Sequence, residues 1–132
     1  ADFADNIMEE NEISFYIRKA IFKTYNTFGP GLLESVYEKV LKIELEKNGL
    51  KVQSQIPINV IYESQVLDIG FRADLLVEDK VIIEIKSVEE ISPVHHKQLL
   101  TYLKLTNRKL GILVNFNTDY IDKSIFRKVN NL

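Results

Sequence analysis

The residues best able to do chemistry sit on two neighbouring apolar stretches. Arg72 and Asp74 lie in the run Val66 to Val77, and Glu84 and Lys86 in the run Val81 to Ser87. Both runs have the β-branched content of strands, and Glu78-Asp79-Lys80 between them reads as a tight turn. A hairpin turning at Asp79 sets Asp74 opposite Glu84 and Arg72 opposite Lys86. Side chains alternate along a strand, so the four ionisable groups share one face. Two carboxylates directly opposite, about 5 Å apart at Cβ, repel and weaken the sheet. Burying them without a partner costs more still, or keeps one protonated. A divalent cation removes the conflict: Mg²⁺ takes oxygen ligands from one or two carboxylates and fills its other positions with water and substrate phosphate. A lysine alongside can offset developing negative charge or assist a metal-bound water. The same charges could instead form cross-strand ion pairs, Arg72 with Glu84 and Asp74 with Lys86, on a solvated hairpin. Leu75-Leu76-Val77 and Val81-Ile82-Ile83 argue for a central hairpin covered on both faces.

The rest of the chain must position this hairpin. Ile13, Ile17, Ala20, Ile21, Tyr25 and Phe28 recur at three- and four-residue steps, which predicts an amphipathic helix from Ile13 to Phe28, ended by Gly29-Pro30-Gly31. A second helix is expected from Leu32 to Lys47, with Leu33, Val36, Tyr37, Val40, Leu41 and Leu45 on its apolar side and Asn48-Gly49 as the stop. The period then changes to two. Val52 to Ile56 and Ile58 to Tyr62 read as strand, with Pro57 hinting at an edge or a bulge, and Glu63-Ser64-Gln65 as a turn. Ser92-Pro93 opens a third helix that runs to Leu105, and Leu110 to Phe116 is a further buried strand. The tail from Tyr120 shows no clear period, although Ile125, Phe126 and Val129 could dock. The order α-α-β-β-β-α-β predicts a mixed α/β (α+β) fold: one central mixed sheet of about four strands flanked by helices. Residues 1–10 are expected to be a disordered or vector-derived segment, with Met8 as the natural start, and residues 11–132 a single domain.

Composition narrows the chemistry. The 132 residues carry 17 basic and 19 acidic side chains, a net charge of −2, so no global positive field draws the protein to nucleic acid or anionic lipid. The absence of cysteine excludes disulfides, thiolate nucleophiles and thiolate-bound zinc or iron–sulfur centres. There is no glycine-rich phosphate loop, no G-x-S-x-G and no apolar run of membrane-spanning length. A cytoplasmic protein without a membrane partner is expected.

Asp74 followed by Glu84-Ile85-Lys86 on the next strand resembles the D…(D/E)xK core of the PD-(D/E)XK nuclease superfamily. Gly31-Leu32-Leu33-Glu34-Ser35-Val36-Tyr37 matches the motif that names its GxxExxY family, and Gln98 with Tyr102 matches the QxxxY motif of its exonuclease-type branch. Arg72-Ala73-Asp74, Pro93-Val94-His95 and Asn115-Phe116 extend the likeness from about Asn11 over nearly the whole chain; Ala73 stands where the superfamily name has proline. The resemblance implies a restriction-endonuclease-like core and a nuclease that hydrolyses phosphodiester bonds, in DNA in the first instance, with Mg²⁺ or Mn²⁺ as cofactor. It assigns metal binding to Asp74, Glu84 and Glu34, and assistance to the attacking water to Lys86. Gln98, Tyr102, Tyr37, His95 and Arg72 would surround the site or touch substrate.

Several of these residues have simpler readings. Glu34 in the first turn of its helix is favoured by the helix dipole. Tyr37 and Tyr102 suit core positions with the hydroxyl reaching out, and Gln98 could cap a strand group. His95 shares a helix face with Gln98 and Tyr102 and could touch phosphate or solvent, while His96 reads as exposed. The alternative function is a non-catalytic nucleic-acid-binding or scaffold protein that retains the nuclease fold. A second copy of the chain or another protein is left open as a partner.

Overall fold

The structure, a computed structural model, describes residues 7–132, the side chains of Ile69 and Gly70 excepted. Helix α1 spans Glu10–Phe28 and α2 spans Glu34–Lys47. Strands β1 (Val52–Tyr62), β2 (Gln65–Val77) and β3 (Val81–Lys86) form a meander; α3 (Pro93–Thr106) crosses to β4 (Leu110–Asn115), and a short 3₁₀ turn leads to β5 (Ile125–Val129). Among the described residues the sheet has five strands in sequence order, antiparallel except for the β3–β4 pair. The mixed α/β expectation holds, with one more strand than the four expected. Strand β5 occupies the tail: Ile125 and Phe126 are half-buried against the sheet, while Arg127 and Val129 face solvent, so its apolar pattern is weak.

Two apolar layers hold the sheet. Ile13, Ile17 and Ile21 of α1 and Tyr37, Leu41 and Leu45 of α2 pack on Leu75, Val77, Ile83 and Ile85. On the opposite face Leu99, Tyr102 and Leu103 of α3 meet Ile58, Ala73, Leu76, Ile82 and Leu113. Covered on both sides, β3 is buried apart from Lys86 and β4 is buried throughout, which explains their nearly continuous apolar runs. Gly111 lets α3 lie close on β4, since a Cβ there would stand 2.8 Å from Leu99 Cδ1.

The helices depart from expectation near α2. It starts at Glu34, not Leu32, and Leu33 is 74% exposed while Val36 lies at the surface. Tyr37, Leu41 and Leu45 alone carry α2 into the core. Residues 1–6 of the segment expected to be disordered lie outside the described residues; Met8 packs against the core, its carbonyl accepting from Lys80 Nζ, and α1 already begins at Glu10. Among the described residues, no helix is long and apolar enough to cross a membrane.

Candidate active site

The β2–β3 hairpin pairs Val77 with Val81, Leu76 with Ile82 and Leu75 with Ile83, the register set by a turn at Asp79. The pairing stops there. In place of the next rung, the Asp74 carboxylate crosses the gap, and its Oδ2 accepts from the Ile85 N–H at 2.7 Å. Arg72 therefore does not face Lys86; it pairs with Pro57 of β1 and donates to the Gln55 carbonyl at 3.2 Å. The expected four-charge patch is thus reduced to Asp74, Glu84 and Lys86, because the two strands separate just where the charged positions begin.

A change of face on β1 and β2 accompanies this separation. Val52 of β1 and Leu75 and Val77 of β2 belong to the α1/α2 layer. Ile58 and Ala73, with Ile56 packed beside them, belong to the α3 layer. Strict alternation would keep Ala73 on the same face as Leu75 and Val77. Both strands switch at Gln55 and Asp74, and Gln55 takes a left-handed φ of 53° to do so. For a residue with a Cβ this costs on the order of 1 kcal/mol or more, a strain usually found where a side chain must be aimed.

Glu84 stays on the α3 side, since its neighbours Ile83 and Ile85 point the other way and Ile82 joins the α3 layer. It is only 5% exposed, and its Oε1 is buried without a hydrogen-bond partner. Burial, then the charge of Asp74, raises its carboxyl to about 9, partly offset by Lys86. Burial also raises Asp74, opposed by the Ile85 amide, by the hydrogen bond with Glu84 and by Lys86. Without a cation, burial and the repulsion between the two carboxylates favour a proton on the pair. Tyr102 of α3 is buried and feels the charge of this pair: its hydroxyl is raised by burial, then by Glu84 and Asp74, so it stays a neutral donor.

The other side of the site is a cleft of about 680 Å³ between the start of α2 and the switch in β1 and β2, lined by Glu34, Glu38, Gln55, Asp74 and Ser87 with Leu32 and Leu33 at its rim. The loop before α2 is tightly held. Gly31 adopts a φ of 97° that a side chain would oppose. The Tyr37 hydroxyl donates to the Gly29 carbonyl at 2.6 Å and accepts from the Leu32 N–H at 3.1 Å, while its ring stacks on Phe116 at 4.2 Å. Ser87, next after Lys86, closes the arrangement. Its Oγ donates to the Leu32 carbonyl at 2.7 Å and its N–H to Glu34 Oε2 at 3.0 Å. Leu32 and Glu34 therefore tie the start of α2 to Ser87 at the end of β3, and Tyr37 holds the loop between α1 and α2. Asn115 does the same for the next loop, accepting from the Val88 N–H and donating to its carbonyl.

A family model described as PD-(D/E)XK nuclease superfamily matches residues 11–128. The chain belongs to the PD-(D/E)XK nuclease superfamily. Among solved structures, this PD-(D/E)XK chain is similar to SSO0001, with 19% identity over 90% of this chain and 78% of that one and a TM-score of 0.54, a likeness of fold. It also matches the alkaline exonuclease LHK-Exo from Laribacter hongkongensis at 16% identity, over 95% of this chain and 72% of the other, with a TM-score of 0.42. A search of the curated proteins gives no match.

The remaining candidates lie outside the carboxylate cluster or do other work. His95 is engaged at the start of α3, where its Nδ1 accepts from the Ser92 N–H at 3.2 Å, which leaves the proton on Nε2. Gln98 is exposed on α3 and hydrogen-bonds to no described residue. His96 is half-buried, edge-on to Phe126 at 4.9 Å, and not exposed as its position predicted. The sequence pattern alone assigns no role to Gln55 or Glu38. The one available signal was the four-residue step from Glu34 to Glu38.

Among the described residues no three His, Asp or Glu side chains form a ready metal cage. The donor set fits a hard cation in another way. Two adjacent carboxylates, one with a buried oxygen left without a partner, suit an ion that completes its shell with water and phosphate. Glu34 is turned to the Ser87 amide, within electrostatic reach of Asp74.

Proposed function

We propose that this superfamily member is a Mg²⁺- or Mn²⁺-dependent nuclease that hydrolyses phosphodiester bonds in DNA, and that it belongs to the GxxExxY family. The observation that carries the reading is the Asp74–Glu84 pair, two carboxylates held together at a break in the sheet with an unpartnered buried oxygen. Asp74 and Glu84 would hold the cation, and Glu34 is near enough in charge to act through water. When bound, a divalent cation polarises a phosphoryl oxygen, lowers the pKa of water and stabilises the leaving oxyanion.

The chain's own residues divide the remaining work. Asp74 keeps its orientation through the Ile85 amide, so one oxygen stays fixed while the other faces the site. Lys86 follows Glu84 by two residues and so shares its face. It offsets the carboxylate charge and would orient the attacking water and neutralise charge that builds on the phosphate. Tyr102 remains protonated and can donate to a phosphate oxygen or a water. Gln98 and His95, on the same face of α3 as Tyr102, would contact substrate beyond the metal pair. Arg72 serves the site through Gln55, and Tyr37 through the loop that carries Glu34.

The test is cleavage of single-stranded, duplex, flapped and branched DNA with Mg²⁺ and with Mn²⁺, at low salt to favour phosphate contacts. The parent should cut at least one substrate, and Lys86→Ala and Glu84→Ala should cut none. Cleavage that persists in both variants would refute the site. A parent that binds metal and DNA but never cuts would favour the non-catalytic binding protein.

A further inference from the structure

Phe71 is 45% exposed, although its place on β2 puts it on the face that α3 covers. It pairs with buried Ile58 of β1 and stands two residues before buried Ala73, so all three share that face. Its ring meets the Tyr102 ring at 6.0 Å between centroids, tilted by 43°. Tyr102 in turn feels the charge of Glu84 and Asp74 at its hydroxyl. Glu84, also on the α3 side, keeps a buried Oε1 without a partner. One face of the sheet thus carries an unsatisfied carboxylate oxygen, a neutral phenol donor and an exposed aromatic ring. Phe71 precedes Asp74 by three residues, about 10 Å of strand. Gln98, one turn before Tyr102 on α3, adds an exposed amide that hydrogen-bonds to no described residue.

We infer that Phe71 is a base-stacking residue: its open face receives an unpaired nucleobase of a strand whose phosphate lies at Asp74 and Glu84, which makes single-stranded DNA, or an unpaired end or flap, the preferred substrate. The inference rests on the nuclease reading of that carboxylate pair. An aromatic ring left this exposed gains little from water, whereas a nucleobase offers a flat π-face to match it. In a duplex each base is already stacked and paired, and taking it out costs free energy, so an unpaired nucleotide reaches the ring far more readily. Charge points the same way. A chain with a net charge of −2 has no global positive field to grip phosphates, and stacking supplies affinity that charge does not. A purely structural account would make Phe71 a cover for Tyr102, whose loss lowers stability and leaves DNA binding unchanged.

The two accounts separate in variants that keep an apolar side chain against Tyr102. Leucine does so without a flat face, and tryptophan enlarges the face. The chain contains no tryptophan, so Phe71→Trp also places a single fluorophore at the stacking position. Phe15→Trp, at an exposed position of α1 on the far side of the sheet, is the control. The experiment titrates both with oligothymidylate, with duplex DNA and with an abasic strand of equal length, in chelator so that nothing is cut. Affinities of the same strands for the parent, Phe71→Leu and Phe71→Ala are measured alongside, with thermal unfolding of each protein. We expect oligothymidylate to quench the Phe71→Trp emission and not that of Phe15→Trp, and the abasic strand to quench neither. Phe71→Leu and Phe71→Ala should bind oligothymidylate about tenfold more weakly, with Phe71→Leu unfolding close to the parent. Parent-like affinity in Phe71→Leu, an unquenched Phe71→Trp that binds the strand, or a parent that prefers the duplex would each overturn the stacking role alone. A parent that binds neither form of DNA would overturn this inference together with the nuclease reading on which it rests.

Discussion

Glu84→Gln should abolish a pH dependence that the metal-free protein otherwise shows. Glu84 is buried beside Asp74 and its carboxyl is raised from 4.5 to about 9. Between those values the folded chain keeps a proton that the unfolded chain has released. Its contribution to stability is complete below pH 4.5 and falls as pH rises toward 9, by at most about 1.4 kcal/mol per pH unit for one proton. From pH 5.5 to 7.5 the parent should therefore lose up to about 3 kcal/mol through this group, roughly 10 °C in Tm for a domain of this length. The glutamine variant cannot ionise, and its amide can donate to Asp74 as the protonated acid does. The assay is urea unfolding of both proteins in chelator at a series of pH values, read as the difference between them, so that other titrating groups cancel. The variant should gain on the parent steadily as pH rises, and saturating Mn²⁺ should remove the parent's deficit by replacing the proton. Parallel curves for parent and variant would refute the shared-proton account of the pair.

Other consequences can be measured on the same material. Saturating Mn²⁺ should raise the parent's unfolding temperature, since the ion binds the folded site and not the unfolded chain, and Asp74→Asn should erase that increment; equal shifts in both would place the ion elsewhere. Tyr37→Phe removes the acceptor of the Leu32 N–H and the donor to Gly29, and should cost about 1–3 kcal/mol in urea unfolding. A neutral result would mean that the loop before α2 is not held by that hydroxyl. Gly111→Ala forces a Cβ to within 2.8 Å of fully buried Leu99, and should destabilise by about 1–3 kcal/mol, less in a Leu99→Ala background; additive losses would contradict the contact.

Much of this arrangement is written locally in the chain. The period of the apolar residues and the turn at Asp79 fix the β2–β3 register as far as Leu75 and Ile83, and alternation then sets Glu84 and Lys86 on one face with Ile85 in the core. Pro57 marks β1 as the edge strand it is. Local pattern fails where a tertiary contact replaces a strand rung. Asp74 takes the Ile85 amide, so Arg72 never meets Lys86 and turns to Gln55 instead. The left-handed Gln55 has no sequence signature, because glutamine does not favour that conformation and only its neighbours impose it. Glu38 becomes a cleft residue only when β1 is laid against α2. Strand β5 escapes notice because an edge strand with one half-covered face has little apolar alternation to show.

What most needs testing is whether Asp74 and Glu84 together hold one divalent cation. The most direct test is a crystal soaked in Mn²⁺ at a pH near 7.5, with data collected for anomalous scattering. An anomalous peak is expected within ligand distance of both carboxylates, with Glu84 Oε1 among its ligands and Lys86 nearby but not bound. A peak elsewhere, or none beside this pair at saturating Mn²⁺, would contradict it.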